Sequence, residues 1–277
     1  MKKQILRIRT ESLWIKAIFF LLITSLILTI LISFFLIRAN LGQVQYDVKK
    51  VLETKNFVTF KEFADNLSDK EKGINSYWIY FRDLTTDFKE GVFFFEKSTP
   101  HRDNPSISSV DFFRVNLIVN EKSIVYYELR KTGIDLKSYY DPIEKYKDDE
   151  AFSNLKNSFK SLFHSDLNKD ELFVTGFVYG EHCGFSGKNP IGRQQIEEWV
   201  ANKNKVQLLN WLKSANTEKQ VYAIDGLYQL KRVGIPLTDE ELEIIKFVIN
   251  KNGTMYVCSG CEHYYDEITK VTKKLKL

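Results

Sequence analysis

The chain has 277 residues, 44% of them apolar, a length for one or two domains and a composition that excludes a disordered chain. Five Pro and thirteen Gly leave no room for a long linker or low-complexity tract. The formal charge of +4 is uneven: residues 1–38 hold six of the 40 basic and one of the 36 acidic residues, leaving 34 against 35 for residues 39–277. A body so balanced makes no overall electrostatic case for nucleic-acid binding.

In chain order, residues 1–16 form a basic tail with Lys2, Lys3, Arg7, Arg9 and Lys16. Ala17–Ile37 follows without a charge. As a helix, at 1.5 Å per residue, it spans about 30 Å, the thickness of a bilayer core. Only a helix satisfies such a backbone in lipid, and Trp14 stands where an interface aromatic belongs. A cleaved signal peptide has a shorter apolar run ending in small residues, whereas this one ends Ile37-Arg38-Ala39-Asn40. The expectation is an uncleaved single-pass anchor that meets membrane lipid through residues 17–37. The excess of Lys and Arg before it puts the N-terminus inside and the body outside, periplasmic in a bacterium.

Residues 38–165 read as an α+β region. Val44, Val48, Val51 and Leu52 fall at helical spacing and are placed to continue the membrane helix as a stalk. Phe57, Phe60, Phe63, Ala64 and Leu67 repeat the pattern in a second helix. Strands are expected at Ser76–Arg82, Gly91–Lys97, Asp111–Val119 and Ser123–Lys131, where Val115, Leu117 and Val119 alternate with Arg114, Asn116 and Ile118. Asn120-Glu121-Lys122 is short enough for a hairpin. The result is a small antiparallel sheet with flanking helices. Ser98–Ser109, with Pro100 and Pro105, is expected to be the longest loop. Residues 141–163 read as helix, with Phe152, Leu155, Phe159, Leu162 and Phe163 as its stripe.

Residues 166–277 read as mainly α-helical with a cysteine cluster. A short strand is expected at Leu172–Tyr179, then a Gly-rich stretch to Gly192. A helix over about 217–233 stops at Gly234 and Pro236. The next opens with a capping box, Thr238 to Glu241. These paired helices with short links resemble HEAT-like hairpins, an architectural analogy that implies no activity. Asp225, Tyr228 and Arg232 read as a solvated helix face.

Chemistry concentrates at Cys183, in His182-Cys183-Gly184, and at Cys258-Ser259-Gly260-Cys261, followed by His263. One reading is a structural disulfide, most simply Cys258–Cys261 or Cys183 to one of them, which suits an oxidising exterior. Another is structural zinc held by Cys258, Cys261, Cys183 and either His182 or His263. A third is redox catalysis, with Cys258 ahead of a helix over Glu262–Lys276 that would lower its thiol pKa.

Other partial motifs fail. Gly184-Phe185-Ser186-Gly187 lacks the last glycine of a nucleophile elbow, and Asp166-Asn168-Asp170 lacks the glycine and the final glutamate of a calcium loop. With no completed catalytic motif and no cofactor implied beyond that zinc reading, the leading expectation is an envelope binding or interaction module, with a protein partner there. A thiol/disulfide or zinc-dependent protein is the alternative. A small-ligand sensor or immunity-type inhibitor in the envelope is a third reading, supported only by the aromatic-rich sheet, whose plainer reading is core.

Overall fold

A computed structural model describes residues 24–25, 43–101, 103–104, 106–133 and 141–275. The expected membrane helix at 17–37 lies outside them, apart from Thr24 and Ser25, which are helical. Among the described residues no helix is long and apolar enough to cross a membrane. The chain divides into two compact units, Met1–Lys50 and Val51–Leu277. Of the first, residues 43–50 are helical and begin a helix, α1, that runs to residue 53.

The second unit is mixed α+β. It opens with α2 (Phe57–Asp65), whose N-cap Asn56 accepts the Thr59 amide at 3.1 Å. This satisfies one of the donors a helix start leaves free. Five strands follow: β1 (Ile74–Asp83), β2 (Phe88–Pro100), β3 (Ser108–Asn120), β4 (Ser123–Thr132) and β5 (Glu144–Lys147). They pair in chain order, every pair antiparallel. The four expected strands are present and longer than their apolar cores. Ser98–Pro100 and Ser108–Ser109, expected in the long loop, extend the β2–β3 hairpin as paired strand.

Period-two alternation gives the sheet two different faces. On one, Trp78, Phe81 and Phe93 meet α2. Phe57 stacks on Phe81 at 4.9 Å between ring centroids, and Phe60 lies edge-on to Trp78 and Phe93 at 6.0 and 5.8 Å. A register shift between Trp78 and Tyr80 puts Phe81, not Tyr80, on the side of Trp78. The other face carries Arg82, Glu90, Arg114, Asn116, Ile118, Tyr126, Glu128 and Arg130, and the rest of the unit packs against part of it.

The expected helix over 141–163 begins later than the sequence suggested. Glu144–Lys147 is the edge strand β5, and α3 (Asp149–Phe163) is capped by Asp148. Leu172–Tyr179 is not a strand; a 3-10 turn (Lys169–Glu171) precedes it, and β6 is only Tyr179–Glu181.

Four helices follow, α4 (Ile191–Ala201), α5 (Lys205–Leu212), α6 (Thr217–Arg232) and α7 (Asp239–Ile249), the last two where the sequence places them. Gly234 has φ 90° and the Ile235 amide donates to Leu230 O at 3.0 Å, the anticipated stop of α6. Thr238 and Glu241 form the reciprocal capping box. α6 lies at the centre, with Val221, Tyr222, Ile224 and Leu227 buried among residues of α3, α4, α5 and α7.

The chain ends differently from expectation. Over the described part of the expected helix, residues 262–275, β7 (Thr254–Ser259) turns into β8 (Glu262–Glu267), and only α8 (Ile268–Thr272) is helical. β7 also pairs in parallel with β6, giving a second, three-stranded sheet in a region expected to be mainly helical. The 258–261 motif is the corner of that hairpin. Gly260, at φ 58° in the first position of the two-residue turn, supplies a conformation that L side chains rarely adopt.

Candidate functional site

The cysteine corner is built by the parallel pairing of β6 and β7, which sets Gly180 opposite Cys258. Two residues past β6, Cys183 pairs with Lys188, and the Gly184 amide donates to Gly260 O at 2.8 Å. These contacts bring Cys183 to Cys258, and the two form a disulfide with Cα atoms 5.7 Å apart. A Cβ on Gly180 would stand 2.4 Å from Cys258 Sγ, so a glycine is required where the strand passes the cross-link.

Cys261 is a free, exposed thiol, so the simplest expected pairing, Cys258–Cys261, is replaced by the longer one. His263 lies opposite Cys258 on β8, and His182 Nδ1 is 3.2 Å from Gly187 O. With two of its sulfurs joined, the expected zinc set does not assemble. Among the described residues no group of three or more His, Cys, Asp or Glu is placed to hold a metal ion. The redox reading loses its helix, since Cys258 precedes a strand.

Asp225 is not on a solvated face. It pairs with Arg193, a buried side chain that also reaches Glu181 Oε1 at 3.1 Å and Gly180 O at 3.4 Å. This ties α4 and α6 to β6 behind the disulfide. Tyr228 is likewise buried.

A second site stands on the open part of the sheet, in residues whose alternation was visible but whose meeting was not. Strand register sets it out in three rows. Arg114 faces Arg130; Asn116 faces Glu128, which faces Lys145; Ile118 faces Tyr126, which faces Lys147. Together with Phe152 of α3, and with Lys169, Asp170, Leu172 and Phe173, these rows line a pocket of about 550 Å³. That size suits a small ligand.

The wall opposite the sheet is held in place from behind. Glu171 accepts from Ser214 Oγ at 2.6 Å and pairs with Lys219 Nζ at 2.7 Å, fastening the 3-10 turn to α6. Phe173 has φ 61°, a strained conformation for an aromatic residue. Its amide donates to Glu90 Oε2 at 3.1 Å and its carbonyl accepts from Arg114. Its ring stacks on Tyr126 at 5.7 Å.

The pocket is basic. Five cationic side chains, Arg114, Arg130, Lys145, Lys147 and Lys169, face two carboxylates, Glu128 and Asp170. Glu128 is shared: Arg130 Nε is 2.9 Å from one oxygen and Lys145 Nζ 3.3 Å from the other. Burial would raise the Glu128 pKa, but these donors and Tyr126 hold it below its ordinary value. Arg114, only 7% exposed, donates to Asn116 Oδ1 at 2.7 Å and Thr175 Oγ1 at 3.3 Å. Burial lowers its pKa, and the charge of Arg130 across the strands adds to the shift. Arg130, opposite it in the strand register, is held charged by its bond to Glu128, which raises its pKa.

One sequence signal did point here. Arg114 and Asn116 interrupt an otherwise apolar strand, and a buried polar row on a strand is the informative exception. The balanced charge of the whole body concealed it. No family model matches this chain, and no curated protein or solved structure matches it either.

Proposed function

We propose that the protein is a single-pass, membrane-anchored binding module of the cell envelope, with its body outside the cytoplasm. The observation that carries the binding reading is the pocket of about 550 Å³ with convergent polar groups on an aromatic floor, the usual character of a ligand site. Two features support the placement: the uncharged run Ala17–Ile37 and the Cys183–Cys258 disulfide, a bond that persists in oxidising compartments.

The test of placement is a reporter fused after Leu277, with alkaline extraction of membranes. Alkaline phosphatase active at that position, in protein that stays with the lipid, is the expected result. A fusion active only in cytoplasmic form, or mature protein beginning at or beyond Asn40 and free of lipid, overturns it.

A second reading, thiol/disulfide exchange, is favoured by one observation: the free thiol of Cys261 sits on the same hairpin as the bonded Cys258. It requires the exposed thiol as the attacking group on a substrate disulfide, so a C261S variant that keeps full exchange activity with a disulfide substrate removes it.

A further inference from the structure

We propose that the sheet pocket binds a small organic anion, a carboxylate or phosphate carried on a flat apolar body. This rests on the binding-module reading and names the ligand class for it.

Residues 39–277 carry 34 basic and 35 acidic side chains, yet the lining of this one cavity has five cations and two carboxylates. Glu128 engages Arg130 and Lys145, and Lys147 pairs with Asp149 at 2.6 Å outside the cavity. Arg114, mostly buried, is directly opposite Arg130. Arg114 gives its nitrogens to Asn116, Thr175 and Phe173 O, so the cations at the mouth of the cavity are the amino groups of Lys145 and Lys169, and an oxyanion there gains a charge-assisted contact from each.

The apolar half of the ligand follows from the floor. Tyr126 stacks on Phe173 and stands 6.1 Å from Phe152 between ring centroids. Lysines lean over these rings, Lys145 at 5.6 Å from the Tyr126 centroid and Lys169 at 5.3 Å from that of Phe152. Their amino groups therefore rim an aromatic surface. Phosphate alone leaves that surface wet and most of the 550 Å³ unfilled.

The experiment uses the full chain in a non-ionic detergent and measures Kd by calorimetry for phenyl phosphate, phenylacetate, inorganic phosphate and benzyl alcohol. The variants are K145Q/K169Q, two solvent-facing changes at the rim, and K246Q, an exposed lysine on α7, as control. Phenyl phosphate is expected to bind at least about tenfold more tightly than inorganic phosphate or benzyl alcohol. K145Q/K169Q is expected to weaken it about tenfold, two lost charge-assisted contacts, while K246Q leaves it unchanged. Raising salt should weaken it as well.

Equal binding of benzyl alcohol, equal binding of inorganic phosphate, or indifference to K145Q/K169Q each overturns the proposal. So does the absence of binding by both aromatic anions up to about 10 mM, a concentration that detects even affinities too weak to matter. The outcome is separable from membrane placement. A reporter result that moves the body to the cytoplasm leaves the binding pattern intact, and failed anion binding leaves the reporter result intact.

Discussion

Arg82 on β1 and Glu218 on α6 are 136 residues apart and form an ion pair of 2.8 Å with side chains 0% and 1% exposed. Glu90 takes the Arg82 Nε at the same distance, and the Tyr80 ring lies 4.0 Å from the guanidinium carbon. Glu218 also accepts the Tyr256 amide at 2.9 Å. One buried carboxylate thus joins the five-stranded sheet, the central helix and the three-stranded sheet. Desolvation works against the Arg82 charge, and the two carboxylates overcome it and raise its pKa. Removing one partner of a buried pair leaves a charge uncompensated. Glu218→Ala is expected to cost about 3 kcal/mol, the lower end of the range for such losses because Glu90 remains. Urea denaturation of parent and variant measures it; a loss below about 1 kcal/mol, the level of a surface pair, contradicts this account.

Lys251 carries a pH dependence. It is buried, with its Nζ 2.8 Å from Gln220 Oε1 and 3.5 Å from Thr217 Oγ1. Burial, with Arg82 nearby, lowers its pKa to about 7. Between about pH 7 and the ordinary lysine value of about 10.4 the unfolded chain holds a proton that the native state lacks. The contribution of Lys251 to stability therefore rises with pH through that window. Lys251→Met removes the penalty, so the variant should gain on the parent most at pH 6 and least at pH 10. A stability difference between the two proteins that is flat from pH 6 to 10 refutes it.

The Cys183–Cys258 bond closes a loop of sequence separation 75. Constraining the unfolded chain over such a loop stabilises the fold by about 2–4 kcal/mol. Reduction, or the C183S/C258S double variant, should lower stability by that amount. C261S should leave it within about 0.5 kcal/mol, as expected of an exposed position. Non-reducing peptide mapping checks the pairing directly, and a Cys258–Cys261 peptide would contradict it.

Gly180 has no room for a side chain. A Cβ there would meet Cys258 Sγ at 2.4 Å and Cys258 O at 2.6 Å. Gly180→Ala should cost about 1–3 kcal/mol through overpacking. The same substitution at Gly176, where a Cβ meets nothing within 4 Å, should fall within about 0.5 kcal/mol of the parent. Thermal unfolding of the two variants side by side provides the comparison.

Legibility followed the strength of local signals. The stop of α6 and the start of α7 were readable because their determinants, Gly234, Pro236, Thr238 and Glu241, are adjacent in sequence and act on their own backbone. β3 and β4 were readable from alternation, and β1 and β2 from their density of aromatic residues. β5 and β8 were not: Glu144-Lys145-Tyr146-Lys147 and Glu262–Glu267 have too few apolar residues to show a period, and each forms because a partner strand offers free backbone groups. The cysteines were visible as candidates, but which sulfur meets which depends on the parallel pairing of β6 with β7, across the helices that separate them.

The sequence by itself determined the strands of the main sheet, the capped helices, the apolar run near the N-terminus and the residue types able to do chemistry. Each of these is written in neighbours a few positions apart. Only the tertiary structure decided that Cys183 bonds Cys258 and that Arg82 meets Glu218. It alone set Lys145 and Lys169 over an aromatic floor. Strand register and helix packing fix those meetings, and they arise from the burial of whole faces, a sum over distant segments that no single stretch of chain contains.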